Sequence, residues 1–230
     1  MKKYYFSIAS ILFLLIGLAS CSNEETKTEN QVASRQSLPP VSIPTQVQIG
    51  TQIWMTRNLD VTHYRNGDPI ILLNGPGGQT DHVCKDYNND PAMGAIYGKL
   101  YDRAAISRGL APVGWHIPSN AEWTILENYL GGQNVAGGKI KSTTLWQSPN
   151  TAASNSSGFK ALPGGQVDRA AGPGLQITFS NIGSVARWWT STEVSVNGNF
   201  YTRNVLYNSG VLNTQIFDSR GLASVRCIKD

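Results

Sequence analysis

The pattern of apolar and polar residues changes twice along the chain. Ile8 to Leu18 is almost entirely apolar and follows Lys2 and Lys3. Residues 22–46 are rich in Thr, Asn, Gln, Ser and Pro and hold few apolar positions, whereas from Val47 onward short apolar runs alternate with Gly-, Asn- and Ser-containing turns. The pattern predicts a signal peptide over 1–21, a flexible tether over 22–46 and one folded domain over 47–230.

Period-two alternation predicts strands through much of the domain. Residues 47–49 and 52–55 are predicted to form a hairpin around Gly50-Thr51. The remaining predicted strands are separated by turn residues and lie at 157–162, 187–193, 199–207, 211–217 and 224–228.

A first helix is predicted over 94–108. Ile96, Leu100 and Ala104 recur at intervals of four residues, which places them on one helical face, and Gly109 follows as a stop.

A second helix is predicted to begin after Ser119. Ser119-Asn120-Ala121-Glu122 has the S-x-x-E form of a capping box, in which the serine and glutamate side chains satisfy each other's backbone N–H groups. Trp123, Leu126 and Leu130 continue on one face, and Gly131-Gly132 ends the helix. Beyond Gly132 we expect only strands and loops.

The same region, GWHIPSNAEW over 114–123, contains a histidine and a glutamate that resemble an acid–base pair. Glu122 is already required at the helix start, and Pro118 favours an extended segment around His116. We therefore expect His116 to be a hydrogen-bonded structural residue. The chain also lacks G-x-S-x-G and HExxH motifs, so no catalytic residue is predicted and the protein is not expected to be an enzyme.

The end of the apolar leader carries a lipid-attachment pattern. Leu18-Ala19-Ser20-Cys21 resembles a bacterial lipobox, so Cys21 is the predicted lipid anchor; an ordinary secretory signal is the alternative. The apolar run is too short for a span of about 20 residues, whereas attached acyl chains hold a domain on a membrane without a spanning helix. Glu24-Glu25 resembles the export signal of Bacteroidetes-type surface lipoproteins, which predicts display on the outer membrane, although a solvated acidic linker would look the same.

The charge balance argues against nucleic acid as a partner. The chain has 19 basic and 15 acidic residues, and two of the basic ones are in the leader. No basic block occurs in the domain, so we expect no nucleic-acid binding.

Several stretches occur in the order found in one known family. Four stretches carry the match: QIWMTRNL (52–59), YGKLY (97–101), GWHIPS (114–119) with Glu122-Trp123, and SVRCIKD (224–230). Two others, GFKALPGG (158–165) and WTST (189–192), also fit it. The chain thus resembles the Fibrobacter succinogenes major paralogous domain, a family of bacterial envelope proteins. The resemblance implies an α+β domain of C-type-lectin-like fold, with two helices and a twisted, mostly antiparallel sheet, and it implies no settled activity.

The resemblance also bears on the cysteines. Relatives often carry a cysteine where this chain has Ala111, so Cys227 lacks its usual partner. Cys84 is the other cysteine of the domain, and an oxidising envelope would permit a Cys84–Cys227 disulfide. The alternative is that Cys227 is a buried thiol that packs as a small apolar residue.

One loop offers hard oxygen ligands. Asp86, Asn88 and Asp90 lie within five residues, which would suit a calcium ion, although the same composition is common in ordinary turns. No other cofactor is expected.

Aromatic residues near the end of the domain suggest a binding face. Trp188 and Trp189 are adjacent in a predicted strand and point to opposite faces, so we expect Trp188 to be exposed, together with Tyr201 and Tyr207. The alternative is that Trp188 fills the core. These features predict a surface-anchored lipoprotein with a non-catalytic lectin-like module that binds a glycan or an envelope protein. The alternative is a structural or adhesive component of a surface assembly.

Overall fold

A computed structural model describes residues 45–72, 82–170, 176–194, 199–218 and 220–230. The predicted signal peptide, Cys21 and nearly all of the predicted tether lie outside these ranges. Within the described ranges, no helix combines the length and apolar character needed to cross a membrane.

The described residues form an α+β structure. The helices are α1 (Pro91–Tyr97), α2 (Arg103–Ile106), α3 (Asn120–Tyr129) and α4 (Gln133–Ile140), with a single 3-10 turn at Tyr87–Asn89. The strands are β1 (Gln46–Ile49), β2 (Gln52–Met55), β3 (Ile71–Leu72), β4 (Val83–Lys85), β5 (Leu100–Asp102), β6 (Trp115–His116), β7 (Gly164–Ala170), β8 (Gln176–Ile182), β9 (Val185–Glu193), β10 (Phe200–Leu206), β11 (Asn213–Phe217), β12 (Leu222–Ala223) and β13 (Ile228–Lys229).

The strands assemble into open, mostly antiparallel sheets. Their orders are β1-β2-β13-β6, β11-β10-β9 and β3-β4-β5-β12-β7-β8. Among the described strands, β3 and β4 are the one pair that runs parallel. An isolated bridge between Trp188 and Ser224 links β9 to the segment after β12. The expected α+β class with mostly antiparallel pairing is confirmed.

The predicted hairpin and capping box are both confirmed. β1 and β2 pair antiparallel with Ile49 opposite Gln52. At the start of α3, the Ser119 hydroxyl accepts the Glu122 N–H, and a Glu122 carboxylate oxygen accepts the Ser119 N–H at 2.7 Å. Both features are local in sequence, which is why the pattern was sufficient to predict them.

The prediction of a single helix over 94–108 is wrong. Gly98 ends α1 with φ at 77°, and a Cβ there would lie 2.7 Å from the Leu59 carbonyl oxygen, so the chain turns where only glycine fits. Residues of β5 follow, and the Asp102 side chain then accepts the Ala105 N–H to begin α2. The segment is therefore helix, strand and helix.

Helix α4 is not predicted by the pattern. Together with the division of the first predicted helix into α1 and α2, it raises the expected two helices to four within the described residues. Gly131 and Gly132 do end α3, but Gly132 is also the N-terminal cap of α4. Inside α4, a Cβ on Gly137 would lie 2.6 Å from the Gly210 carbonyl oxygen. The glycines therefore permit close packing of a helix against backbone, which sequence alone does not distinguish from a loop.

The strand predictions are mixed. Those over 187–193, 199–207 and 211–217 correspond to β9, β10 and β11, whereas β3, β4, β7 and β8 are absent from the predicted set. The strand expected over 157–162 is reduced to a bridge between Ala161 and Lys141. Of the strand expected over 224–228, Ser224 forms an isolated bridge with Trp188 and Ile228 begins β13.

Buried side chains form three apolar clusters. The first surrounds Tyr101, Trp189 and Cys227, the second contains Trp54, Trp123 and Trp188, and the third is smaller and lies around Val167. Trp115 and Trp123 are both buried.

Candidate functional site

Trp188 does not present its ring to solvent, so that prediction is wrong. It is 0% exposed, its ring centre lies 5.5 Å from that of Trp123, and its indole N–H donates to Asn58 Oδ1 at 2.9 Å. Trp189 points the other way and is also fully buried, with its N–H on the Tyr101 carbonyl. Both faces of β9 are covered at this point, and the assumption that one face is open therefore fails.

Tyr201 and Tyr207 are both partly exposed, but they do not form one small-ligand site. Tyr201 lies on β10, where its cross-strand neighbour is the exposed Ile216. Tyr207 follows the end of β10. At about 3.3 Å per strand residue the two positions are roughly 20 Å apart.

Two of the three predicted calcium ligands, Asp86 and Asp90, bond to the protein itself. Asp86 is buried and accepts a hydrogen bond from Lys99 Nζ at 2.7 Å, while the Asp90 side chain caps α1 through the Ala92 N–H. Asn88 is exposed. No group of three His, Cys, Asp or Glu side chains suited to a metal occurs in the described part of the chain.

Cys84 and Cys227 are free thiols, so the predicted disulfide is not formed. Both are fully buried in the first cluster, which also contains Ala111. Burial raises the pKa of Cys84 to about 11 and also raises the pKa of Cys227. The alternative of buried thiols that pack as apolar residues is therefore the one observed.

His116 lies between two carboxylates. Its Nε2 is 2.8 Å from Glu122 Oε1, and its Nδ1 is 2.8 Å from Oδ1 of Asp230, the last residue. Glu122 Oε2 in turn accepts the backbone N–H and the hydroxyl of Ser119. The hydrogen bonds that link Asp230, His116, Glu122 and Ser119 in series thus connect the end of β13 to the start of α3.

The hydrogen bonds around His116 favour its protonated, charged form. Burial alone would lower the pKa of His116, but hydrogen bonds to Glu122 and Asp230 outweigh burial and raise it. Burial would raise the pKa of Glu122, but its bonds to Ser119 and His116 lower it. Because both ring nitrogens are engaged by carboxylates, His116 is poorly placed to accept a proton from a substrate.

A second polar group lies where β7 meets β9. Arg187 projects from β9 and donates to side chains on three neighbouring strands: Nε to Gln166 Oε1 at 2.8 Å, Nη1 to Thr202 Oγ1 at 3.0 Å, and Nη2 to Gln215 Oε1 at 3.0 Å. Asp168 extends the group, because it accepts hydrogen bonds from Gln166 and from Ser180. We call this set the Arg187 face; it comprises Gln166, Asp168, Ser180, Arg187, Thr202 and Gln215.

The Arg187 face is preorganised and partly open. Gln215 is exposed, Arg187 is half-buried and Thr202 is buried. The guanidinium carbon lies 4.6 Å from the ring centre of the buried Phe217, which supports it from one side. Burial lowers the pKa of Arg187 to about 10, partly offset by the charge of Asp168. The arginine still carries its charge at neutral pH.

Other buried cations are structural. The Lys141 ammonium donates to the carbonyls of Thr151, Leu206 and Ser209 at 2.7, 3.1 and 3.0 Å. Arg226 is fully buried and donates to carbonyls and to Asn58, and burial lowers its pKa to about 9. Their N–H groups satisfy loop and strand carbonyls, and their burial leaves no charge facing solvent.

Sequence reasoning missed Arg187 because its partners come from strands far apart in the chain. The available signal was an arginine within an apolar and aromatic strand, Val185-Ala186-Arg187-Trp188-Trp189, which marks a cation in a mostly buried setting. Gln166 and Gln215 carry no comparable signal.

Comparison with known proteins gives one match. A family model, the Fibrobacter succinogenes major domain, matches residues 47–229. No curated protein and no solved structure matches the chain.

Proposed function

The chain belongs to the Fibrobacter succinogenes major domain family, and from that premise we propose that it is a surface-anchored lipoprotein whose domain is a non-catalytic binding module for glycans. The observation that carries the proposal is the Arg187 face. Its amide, hydroxyl, carboxylate and guanidinium groups are held by one another on rigid strands and are partly open to solvent. Such groups are the usual hydrogen-bonding partners of sugar hydroxyls, and their preorganisation lowers the cost of binding.

The arrangement at His116 supports a non-catalytic role. The histidine and its neighbouring glutamate are the chain's most enzyme-like pair in sequence, yet Glu122 caps α3 and both imidazole nitrogens lie 2.8 Å from carboxylate oxygens. These contacts hold a helix end and the C-terminus, so they account for the pair without a reaction.

The anchoring part of the proposal comes from the sequence. Leu18-Ala19-Ser20-Cys21 favours lipid attachment at Cys21, and Glu24-Glu25 favours outer-membrane surface display. Residues 22–46 would then hold the domain away from the membrane. Labelling with radioactive palmitate, lost in Cys21→Ser, tests the anchor, and protease digestion of intact cells tests the display.

The proposed domain architecture is C-type-lectin-like. The mixed α+β content and the mostly antiparallel sheets support it. A crystal structure whose strands do not superpose on such a domain would contradict this part of the proposal.

The binding proposal is tested by presenting the full lipidated chain, purified in detergent, to a glycan array. We expect binding to a restricted set of glycans that weakens in Gln215→Ala, because Gln215 is the exposed member of the Arg187 face. The matched control is Gln48→Ala, an exposed glutamine whose amide donates to the Gly50 carbonyl of its own hairpin. If no glycan on the array bound and an envelope protein co-purified with the chain, the glycan proposal would be wrong and the ligand would be a protein.

A further inference from the structure

Arg187 has donors left for a ligand. A guanidinium carries five N–H donors, and those of Arg187 donate to Gln166, Thr202 and Gln215, one bond from each nitrogen. One N–H therefore remains on each terminal nitrogen. A carboxylate has two oxygens that accept hydrogen bonds from such donors.

Arg187 also lacks a direct counter-charge. All three of its acceptors are neutral oxygens, and within the described ranges no ion pair joins it to a carboxylate. Asp168 acts on it through space but is itself bound by Gln166 and Ser180. The buried Arg203 differs, since its Nη1 pairs with Glu127 Oε2 at 2.6 Å.

The partly buried surroundings of Arg187 favour the binding of an anion to its guanidinium. Its guanidinium lies over the Phe217 ring, and the side chain is half-buried between two sheets, where charges are less screened than in bulk water. An anion that reaches the remaining donors gains more than it would at a fully exposed arginine, because the partners of Arg187 already fix its orientation.

Resting on the proposed function, we propose that the Arg187 face binds acidic glycans, with the carboxylate of a uronic acid on Arg187 and neighbouring sugar hydroxyls on Gln215 and Asp168. The exposed Gln215 has side-chain N–H groups that donate to hydroxyl oxygens, and the Asp168 carboxylate accepts from hydroxyl groups. The site thus selects for a sugar that carries one carboxylate among several hydroxyls.

The test is a pair of ligands that differ only in charge. The full chain in detergent is titrated calorimetrically with tetragalacturonate and with its methyl ester, which has the same sugar skeleton without the carboxylates. We expect the acid to bind at least about tenfold more tightly, the scale of one charge-assisted hydrogen bond, with the difference shrinking as salt rises. Arg187→Gln should abolish the difference. Arg57→Gln should retain it, because Arg57 is an exposed arginine that donates to the Ala95 carbonyl and lies outside the Arg187 face.

A second measurement covers the case in which Arg187→Gln does not fold. In the unaltered chain, the ¹⁵N–¹H resonance of Arg187 Nε should shift on addition of tetragalacturonate and should not shift with the ester. Equal affinity for acid and ester would overturn the acidic assignment and leave glycan binding intact. Glycan binding restricted to neutral sugars would do the same.

Two further outcomes separate this inference from the proposed function. A poly-glutamate peptide that binds as tightly as tetragalacturonate and also depends on Arg187 would overturn the assignment to a sugar. A glycan array without any binding would overturn the proposed function itself.

Discussion

Glu122→Gln isolates the contribution of the capping carboxylate. In the folded protein Glu122 Oε2 accepts the Ser119 N–H at 2.7 Å and the Ser119 hydroxyl at 2.9 Å, while Oε1 lies 2.8 Å from His116 Nε2. Glutamine has one acceptor oxygen. If that oxygen keeps the Ser119 N–H, the amide nitrogen faces the protonated His116, donor against donor.

The magnitude follows from the exposure of the pair. A hydrogen bond to a charged group contributes about 1.5–3 kcal/mol, but the His116 and Glu122 side chains are 40% and 29% exposed, so solvent screening reduces this. We expect a loss of about 1–2 kcal/mol in the free energy of unfolding. For a domain of this size that corresponds to a fall in Tm of about 2–8 °C.

The loss should depend on pH in a defined direction. The pKa of His116 is raised above 6.5 on folding, so its contribution is fully present below pH 6.5 and is lost as pH rises through the folded value. The pKa of Glu122 is lowered below 4.5, so its contribution is present above pH 4.5 and is lost as pH falls through the folded value. The difference between the unaltered protein and Glu122→Gln should therefore be largest between pH 4.5 and 6.5.

The assay is urea unfolding followed by tryptophan fluorescence at several pH values from 4.5 to 9. The matched control is Glu193→Gln, because Glu193 is an exposed glutamate at the end of β9, and its change should stay within about 0.5 kcal/mol. Equal midpoints for Glu122→Gln and the unaltered protein at pH 6 would refute the capping argument. A loss that stayed constant from pH 5 to pH 9 would refute the role assigned to His116.

Other changes test the buried groups. Arg226→Met should lower the free energy of unfolding by about 3–5 kcal/mol, because it leaves the Met55 and Phe159 carbonyls buried without donors; a loss below about 1 kcal/mol in urea unfolding would be inconsistent with this. Trp123→Ala should cost about 3–5 kcal/mol in the same assay, since the side chain is 0% exposed, and a cost near zero would show that the cluster is not tightly packed. Cys84 and Cys227 should react with Ellman's reagent only after denaturation, and dithiothreitol should leave Tm unchanged; rapid labelling of the folded protein would disprove their burial.

The candidate site shows where sequence reasoning stops. The Trp188-Trp189 pair was expected to have one open side, because alternation places the two rings on opposite faces of β9. Alternation along a strand tells on which face a side chain lies, but it does not tell whether that face is covered. Whether the outer face is covered depends on α3 and on the aromatic residues of distant segments, which enclose Trp188.

Short-range features were determined by the sequence itself. The β1–β2 hairpin and the Ser119–Glu122 capping box depend on residues within a few positions of one another, so their energetics are set by local geometry and the chain pattern specifies them. Family membership likewise follows from motifs written along the chain.

Only the tertiary structure decided the role of residues whose partners are distant in sequence. Gly98 lay inside a predicted helix, and its role as a helix end was decided by the Leu59 backbone packed against it. Arg187 gained its position from side chains on β7, β10 and β11. Its charge became significant because packing left it half-buried, with no carboxylate paired to it among the residues that the structure describes. Burial and long-range contacts of this kind depend on how the sheets pack. The type of a single residue and its spacing from its neighbours do not specify that packing.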